Sequence, residues 1–128
     1  MIGSGAYNYI NVLQSAADAS WLRNTIISNN IANVETPNYK RQDVQFETYL
    51  IEQMAGVDTM DSYVDGIDLS TIDATIYTDN SNLSYRSDGN NVDIDTENAE
   101  LAKNQIKYNV LTDAISQEFS RLRTALGK

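Results

Sequence analysis

One stripe of residues governs what this chain can fold into. Ala6, Ile10, Leu13, Ala17, Ser20, Asn24, Ile27, Ile31 and Val34 recur in alternating steps of four and three. That is a heptad seam, and it predicts a helix packed lengthwise along another helix. At 1.5 Å per residue such a helix runs about 40 Å, too long for a compact globule of this size to cover. Ser20 and Asn24 interrupt the seam, and polar members of an apolar seam set register at some cost in stability. A second stripe lies near the other end: Leu101, Tyr108, Leu111, Ile115, Leu122 and Ala125, with Asn104 and Glu118 at the remaining seam positions. A further apolar row, Ala102, Ile106, Val110, Ala114, Phe119 and Leu126, widens that face, so this helix is expected to touch more than one neighbour.

The segment boundaries follow from turn chemistry. Pro37 disfavours helix at Thr36, and Pro37-Asn38 is a turn signal, so the first helix ends near Asn33. In residues 41–50, Val44 and Phe46 alternate with polar residues. Phe46, Tyr49 and Leu50 also fit one helical face, which leaves strand or helix open. Asp-Gly at 65–66 and 88–89 marks turns, and Ile72, Ala74 and Ile76 alternate with polar neighbours, which reads as one or two short strands. Thr96 is the expected N-cap of the second helix, with Glu97 and Glu100 in its first turns and Arg121, Arg123 and Lys128 at its other end. The expected fold is mainly α: an elongated pair of long terminal helices in coiled-coil-like packing, with a small irregular or β-containing middle insertion. Residues 1–34 form the N-terminal helix, 35–95 a turn, an extended segment and an acidic middle, and 96–128 the C-terminal helix. The stripes alone leave open an intramolecular antiparallel hairpin, a homo-oligomeric coiled coil, or packing in a larger lattice.

Charge narrows the function classes. The 128 residues carry a net charge of -9, and the ten acids and single base between Glu52 and Asp95 account for all of it. The flanks are neutral, so the helical ends can associate without net repulsion. A nucleic-acid binder needs a basic footprint, so no nucleic-acid partner is expected. No apolar run approaches membrane-spanning length, so no direct membrane insertion is expected either.

The chain has no cysteine and no histidine, which removes disulfides, thiolate or imidazole metal ligands and imidazole acid–base chemistry. An EF-hand loop needs glycine sixth and glutamate twelfth; counted from Asp88 those places hold Asp93 and Ala99, and counted from Asp61 the twelfth is Ile72. Gly3-Ser4-Gly5 is neither a nucleophile elbow nor a phosphate loop. The acidic residues read as a solvated face. No enzyme activity, cofactor or metal is expected.

The run Asn29-Asn30-Ile31-Ala32-Asn33-Val34-Glu35-Thr36-Pro37-Asn38-Tyr39-Lys40 resembles the signature of bacterial flagellar rod and hook proteins. In them the N-terminal helix ends in Asn-Asn-Ile-Ala-Asn, followed by a short turn and Tyr-Lys. Thr36-Pro37 in that turn, then Asp43-Val44 and Phe46, looks like the proximal-rod pattern, that of the FlgB family. So does Asp88-Gly89-Asn90-Asn91-Val92-Asp93 ahead of a helix with Glu100-Leu101-Ala102-Lys103-Asn104 and Tyr108. About 75 residues at the two ends share the likeness. Asn38 stands where the family usually has glycine, and asparagine is the commonest substitute in a left-handed turn. Asn98 stands where an apolar residue is more usual.

The resemblance implies a structural subunit of the proximal rod, part of the drive shaft across the cell envelope, polymerising through its terminal helices. It implies location in the flagellar basal body and export by the flagellar type III route without a cleaved signal peptide. The implied partners are copies of itself, other rod proteins, and basal ring and export-gate components. The residues expected to carry assembly come from the stripes and from the motif. The stripes contribute Leu13, Ala17, Ile27 and Ile31, and Leu101, Asn104, Tyr108, Leu111, Ile115 and Leu122. The motif contributes Asn29, Asn30, Ala32, Asn33, Thr36, Pro37, Tyr39, Lys40, Asp43 and Phe46, its asparagine amides satisfying backbone groups between subunits. Ile27→Asp and Ile31→Asp are expected to abolish assembly. The alternative is a soluble coiled-coil adaptor or secretion-chaperone-like module, which would form a small oligomer of fixed size.

Overall fold

The computed structural model describes residues 4–47, 74–80 and 86–127, with side chains from residue 8 onward. Two long helices and a two-stranded sheet make up these residues: α1 (Ser4–Ala32), β1 (Gln42–Gln45), β2 (Thr75–Thr78) and α2 (Ile94–Ala125). At 29 and 32 residues the helices are about 43 and 48 Å long. Contacts rise along one helix as they fall along the other. Asn30 meets Glu97, Ser20 meets Asn104, and Trp21 meets Tyr108. The pair is therefore an antiparallel hairpin within the chain, the first of the arrangements the stripes allow.

α1 ends at Ala32, and the turn after it is held by the Asn33 amide donating to Asn29 and Asn30 and the Thr36 amide donating to Asn33. Asn38 takes the left-handed conformation at φ 60°, as its place in the motif requires. The chain then doubles back along α1 as β1, a strand rather than a helix, pairing antiparallel with β2 so that Val44 faces Ile76. Val44 and Phe46, two residues apart, share the buried side. Phe46 packs on Ala19, flanked by Ala16 and Ala74, so α1 buries a second face besides its seam. The heptad reading missed that face because alanines carry little periodic signal.

α2 starts two residues earlier than its sequence suggests. Asp93, not Thr96, is the N-cap: its carboxylate accepts from the Asp95 and Thr96 amides at 3.0 and 3.4 Å. Thr96 instead lies within the first turn and is exposed. Asn98 also faces outward, so no apolar residue is needed there. On the seam, Ile10, Ala17, Ser20 and Ile27 are buried and Leu13, Asn24, Ile31 and Val34 half-buried. The expected strand residue Ile72, the Asp-Gly turn at 65–66, and Tyr49 and Leu50 lie outside the described residues. Among the described residues buried apolar side chains are few, and Ser20, Asn30, Asn90, Glu97 and Asn104 are buried with them. Polar ties therefore decide which packing forms.

Candidate functional site

The ties concentrate where the helices are joined. Asn30, on the last full turn of α1, has no exposed surface. Its Nδ2 donates to the Gln42 carbonyl at 2.8 Å and to Glu97 Oε2 at 3.2 Å. Its Oδ1 accepts from the Gln42 amide at 2.9 Å and from the Tyr39 hydroxyl at 3.1 Å. One amide thus binds the end of α1 to the start of β1 and the first turns of α2. Burial, with the nearby Glu97 charge, pushes the Tyr39 phenol above its ordinary pKa, which keeps it a donor.

Arg41 closes the same junction from the sheet side. Its Nε donates to Glu97 Oε1 at 2.6 Å, Nη1 to Asp79 Oδ2 at 3.1 Å and Nη2 to Asp43 Oδ2 at 3.3 Å. Burial alone would lower the guanidinium pKa. The Glu97 hydrogen bond and charge, with Asp79 and Asp43, more than offset it and hold the value above the ordinary range. Glu97 is only 1% exposed, and these partners are what make a buried carboxylate tolerable. Asn91 completes the ring, accepting from the Arg41 amide at 2.7 Å and donating to the Asp79 carbonyl at 2.8 Å.

Asn90 caps α1 from across the chain. Its Nδ2 faces the carbonyls of Asn33, Val34 and Thr36 at 2.9, 3.0 and 2.9 Å, in the turn where the helix ladder has ended. Arg86 donates to the Val34 carbonyl and Lys40 to the Gly89 carbonyl. The Asn38 amide donates to the Asp88 carbonyl at 2.8 Å. Gly89 takes φ +78°, and a Cβ there would lie 2.7 Å from Asn38 Oδ1, so the two turns interlock only around a glycine.

Farther along the hairpin, Arg23 donates to Glu47 through both terminal nitrogens at 2.9 Å and to the Val44 carbonyl at 2.7 Å, and Lys107 joins from α2. Burial would raise the Glu47 pKa, but the hydrogen bonds from Arg23 and Lys107 bring it down to about 2. Asn104 donates to the Ser20 carbonyl at 2.7 Å, so polar positions of the two seams meet.

The expected assembly residues divide into three groups. Ala17, Ile27, Asn30, Phe46 and Asn104 are buried within the chain. Leu13, Ile31, Asn33, Tyr39, Lys40, Asp43, Leu101, Tyr108, Leu111, Ile115 and Leu122 are half-buried, and Asn29, Ala32, Thr36 and Pro37 are exposed. The Asn30 amide satisfies backbone groups of its own chain rather than of a neighbour. The elbow of the Asn-Asn motif is first an intramolecular clasp. Ile27 has 1% of its surface exposed, so Ile27→Asp would break the hairpin before it could report on assembly. Glu97, Asn90, Asn91 and Arg41 belong to the junction and were not singled out as site residues. Asparagine-rich segments around a helix start were the available signal, and it does not say which amide turns inward.

The surface left over is apolar on the back of α2. Ala102, Ile106 and Val110 follow one another at steps of four, and Ile106 and Val110 are 66% and 61% exposed. Phe119 and Leu126, from the same sequence row, are also exposed. Among the described residues no helix is long and apolar enough to cross a membrane, and no group of acidic side chains is arranged to hold a metal ion.

Comparison with known proteins places the same residues in a family. The family model described as flagella basal body rod protein matches residues 10–40, the whole α1 seam but Ala6 and all of the Asn29–Lys40 motif. The flagellar basal body rod protein FlgB of Bacillus subtilis strain 168 is 35% identical over 118 residues, covering 91% of this chain and 92% of that protein. FlgB of Borreliella burgdorferi is 30% identical over 131 residues, with 94% and 92% covered. FlgB of Escherichia coli K12 is 30% identical over 122 residues, with 88% of each covered. These are named as rod proteins, not as enzymes. With likeness running through both helices and the elbow between them, this chain belongs to the FlgB family of flagellar basal body rod proteins.

Proposed function

We propose that the chain is a structural subunit of the proximal rod in the flagellar basal body. It works by polymerisation: the hairpin, closed by its own polar junction, is a preformed strut, and neighbouring subunits cover the back of α2. The partners are copies of itself, other rod proteins, and basal ring and export-gate components. Delivery is by the flagellar export route. The observation that carries this reading is the row Ala102, Ile106 and Val110, set on a helix whose opposite side already packs on α1. Burying two such side chains yields about 3 kcal/mol or more per subunit contact, and neutral flanks let like chains approach.

The experiment is co-sedimentation of the full chain with the other rod proteins of the same cell, comparing the parent with Ile106→Glu and Val110→Glu. The parent forms larger species with those partners, and both variants stay small while keeping their helical circular dichroism. A variant that co-assembles like the parent would refute the assignment of this face. A parent that forms one fixed oligomer indifferent to rod proteins would favour the adaptor reading.

A further inference from the structure

The two-stranded sheet has one open side. The Asp79 amide donates to the Arg41 carbonyl at 2.9 Å, so these residues form a hydrogen-bonded pair that extends the β1–β2 ladder. In an antiparallel ladder such pairs alternate with pairs whose backbone groups point away from the partner strand. In this register the outward pairs are Gln42 with Thr78 and Val44 with Ile76. On the β1 edge the outward groups are spent. The Asn30 side chain serves the amide and carbonyl of Gln42, the Val44 carbonyl accepts from Arg23, and the Val44 amide donates to Asp43 Oδ1. On the β2 edge the amides and carbonyls of Ile76 and Thr78 have no partner among the described residues, and every residue of β2 is exposed. Sheet edges are commonly blunted by charges, prolines or bulges. Thr75-Ile76-Tyr77-Thr78 has neither charge nor proline, and its β-branched and aromatic side chains favour strand pairing.

We infer that this edge binds the β2 edge of a second copy of the chain, antiparallel, about a twofold axis through Tyr77. That register uses every open group of the strand. It sets Ile76 against Thr78 of the second copy and Thr78 against its Ile76, each pair exchanging both bonds, with the two Tyr77 residues facing each other between them. An aromatic pair at the centre adds to the contact. No like charges are opposed within the strand, and Asp79 beside it is already held by Arg41 at 3.1 Å. The contact continues the β1–β2 sheet from one copy into the next. Because one patch serves both copies, it closes at two. Four residues make a short edge, so the pair forms and parts with concentration. This surface is separate from the back of α2 and does not depend on the rod placement.

The chain has no cysteine, so an introduced thiol reports the contact by disulfide formation. In a central pair of this kind the Cα atoms lie about 4.5 Å apart, within the roughly 4.4–6.8 Å that a disulfide spans. The full chain carrying Tyr77→Cys, at a side chain 43% exposed, is oxidised beside one carrying Thr75→Cys. Across the same axis the residue-75 Cα atoms stand more than about 12 Å apart. With rates normalised to each thiol's reaction with a soluble maleimide, Tyr77→Cys gives covalent dimer at least about tenfold faster. Adding Thr78→Pro removes an outward N–H without touching the β1 ladder, and brings that rate down to the Thr75→Cys level with the helical signal intact. If Thr78→Pro fails to fold, sedimentation of Tyr77→Lys against the parent serves instead. The parent dimerises as concentration rises, and the variant, with like charges directly opposed, stays monomeric. Equal rates at the two thiols, or pairing that survives in the folded edge variants, would overturn the proposal. Ile106→Glu leaves the Tyr77→Cys rate unchanged, and loss of cross-linking there would assign the contact to α2 and overturn it as well. A chain that cross-links at residue 77 yet never co-sediments with rod proteins would refute the rod placement alone.

Discussion

Replacing Asn30 by alanine should cost this protein more than any other single amide. The side chain is fully buried and makes four hydrogen bonds, two of them to the amide and carbonyl of Gln42. In Asn30→Ala both backbone groups lose their side-chain partner beneath the helix end, and each stranded group costs about 1–3 kcal/mol. Glu97 keeps Arg41, and the half-buried Tyr39 hydroxyl can turn toward water, so these add little. The sum is about 2–6 kcal/mol, a large part of the roughly 5–15 kcal/mol typical of a folded domain. Asn29→Ala is the matched control: same residue type, next in sequence, but exposed, and expected within about 0.5 kcal/mol of the parent. Urea unfolding followed by far-UV circular dichroism measures both. If Asn30→Ala cost under about 1 kcal/mol and matched Asn29→Ala, the clasp would not hold the hairpin, and the reasoning built on buried amide satisfaction would fail.

Gly89→Ala should lower thermal stability by about 1–2 kcal/mol, since it places a Cβ both in the left-handed region and against Asn38. Gly127→Ala, at φ +73° with nothing within 4 Å, should cost less, and equal melting shifts would contradict the interlocked turns. The Glu47 carboxyl, at about 2 instead of 4.5, has a folded value below its unfolded one. Its contribution is therefore present above the usual carboxylate range and lost as pH falls toward 2. Because the side chain is 40% exposed, solvent screening limits that contribution to under about 1 kcal/mol. The stability gap between the parent and Glu47→Gln should close progressively on acidification below 4.5, and a gap independent of pH would show that the ion pair is not its source.

The parts of the fold legible in the sequence are those written in period and in turn chemistry. Two seams gave two helices, Pro37-Asn38 gave the stop, and Asn38 took the left-handed conformation its motif place demands. What could not be read is partner choice among polar side chains. Nothing local distinguishes buried Asn30 from exposed Asn29; only the returning helix, which sets Glu97 beneath one of them, does so. The N-cap was misplaced for a related reason. Asp93 and Thr96 are both good caps, and the extended backbone at φ -103°, ψ 111° that selects Asp93 follows a segment that Asn90 ties to the α1 end and Asn91 ties to the Arg41 amide. For the candidate site, the stripe named the right helices, but it did not separate seam residues spent within the hairpin from the back row of α2 left for neighbours. A one-dimensional period cannot show how much of a stripe its own chain already covers.

Building the clasp from amides also bears on how the part ages. Asparagine slowly loses its side-chain nitrogen and becomes an acid, fastest where glycine follows and leaves the backbone unhindered. At Asn30 that change would replace the donor facing Glu97 with a second carboxylate, setting like charges at the centre of the junction. The sequence holds fourteen asparagines, and not one precedes a glycine; Asn30 is followed by the branched Ile31. Three of the four Asn30 bonds go to neutral groups and do not slacken with salt as an ion pair does, and the slow chemical decay of the amide is here held back by the residue beside it.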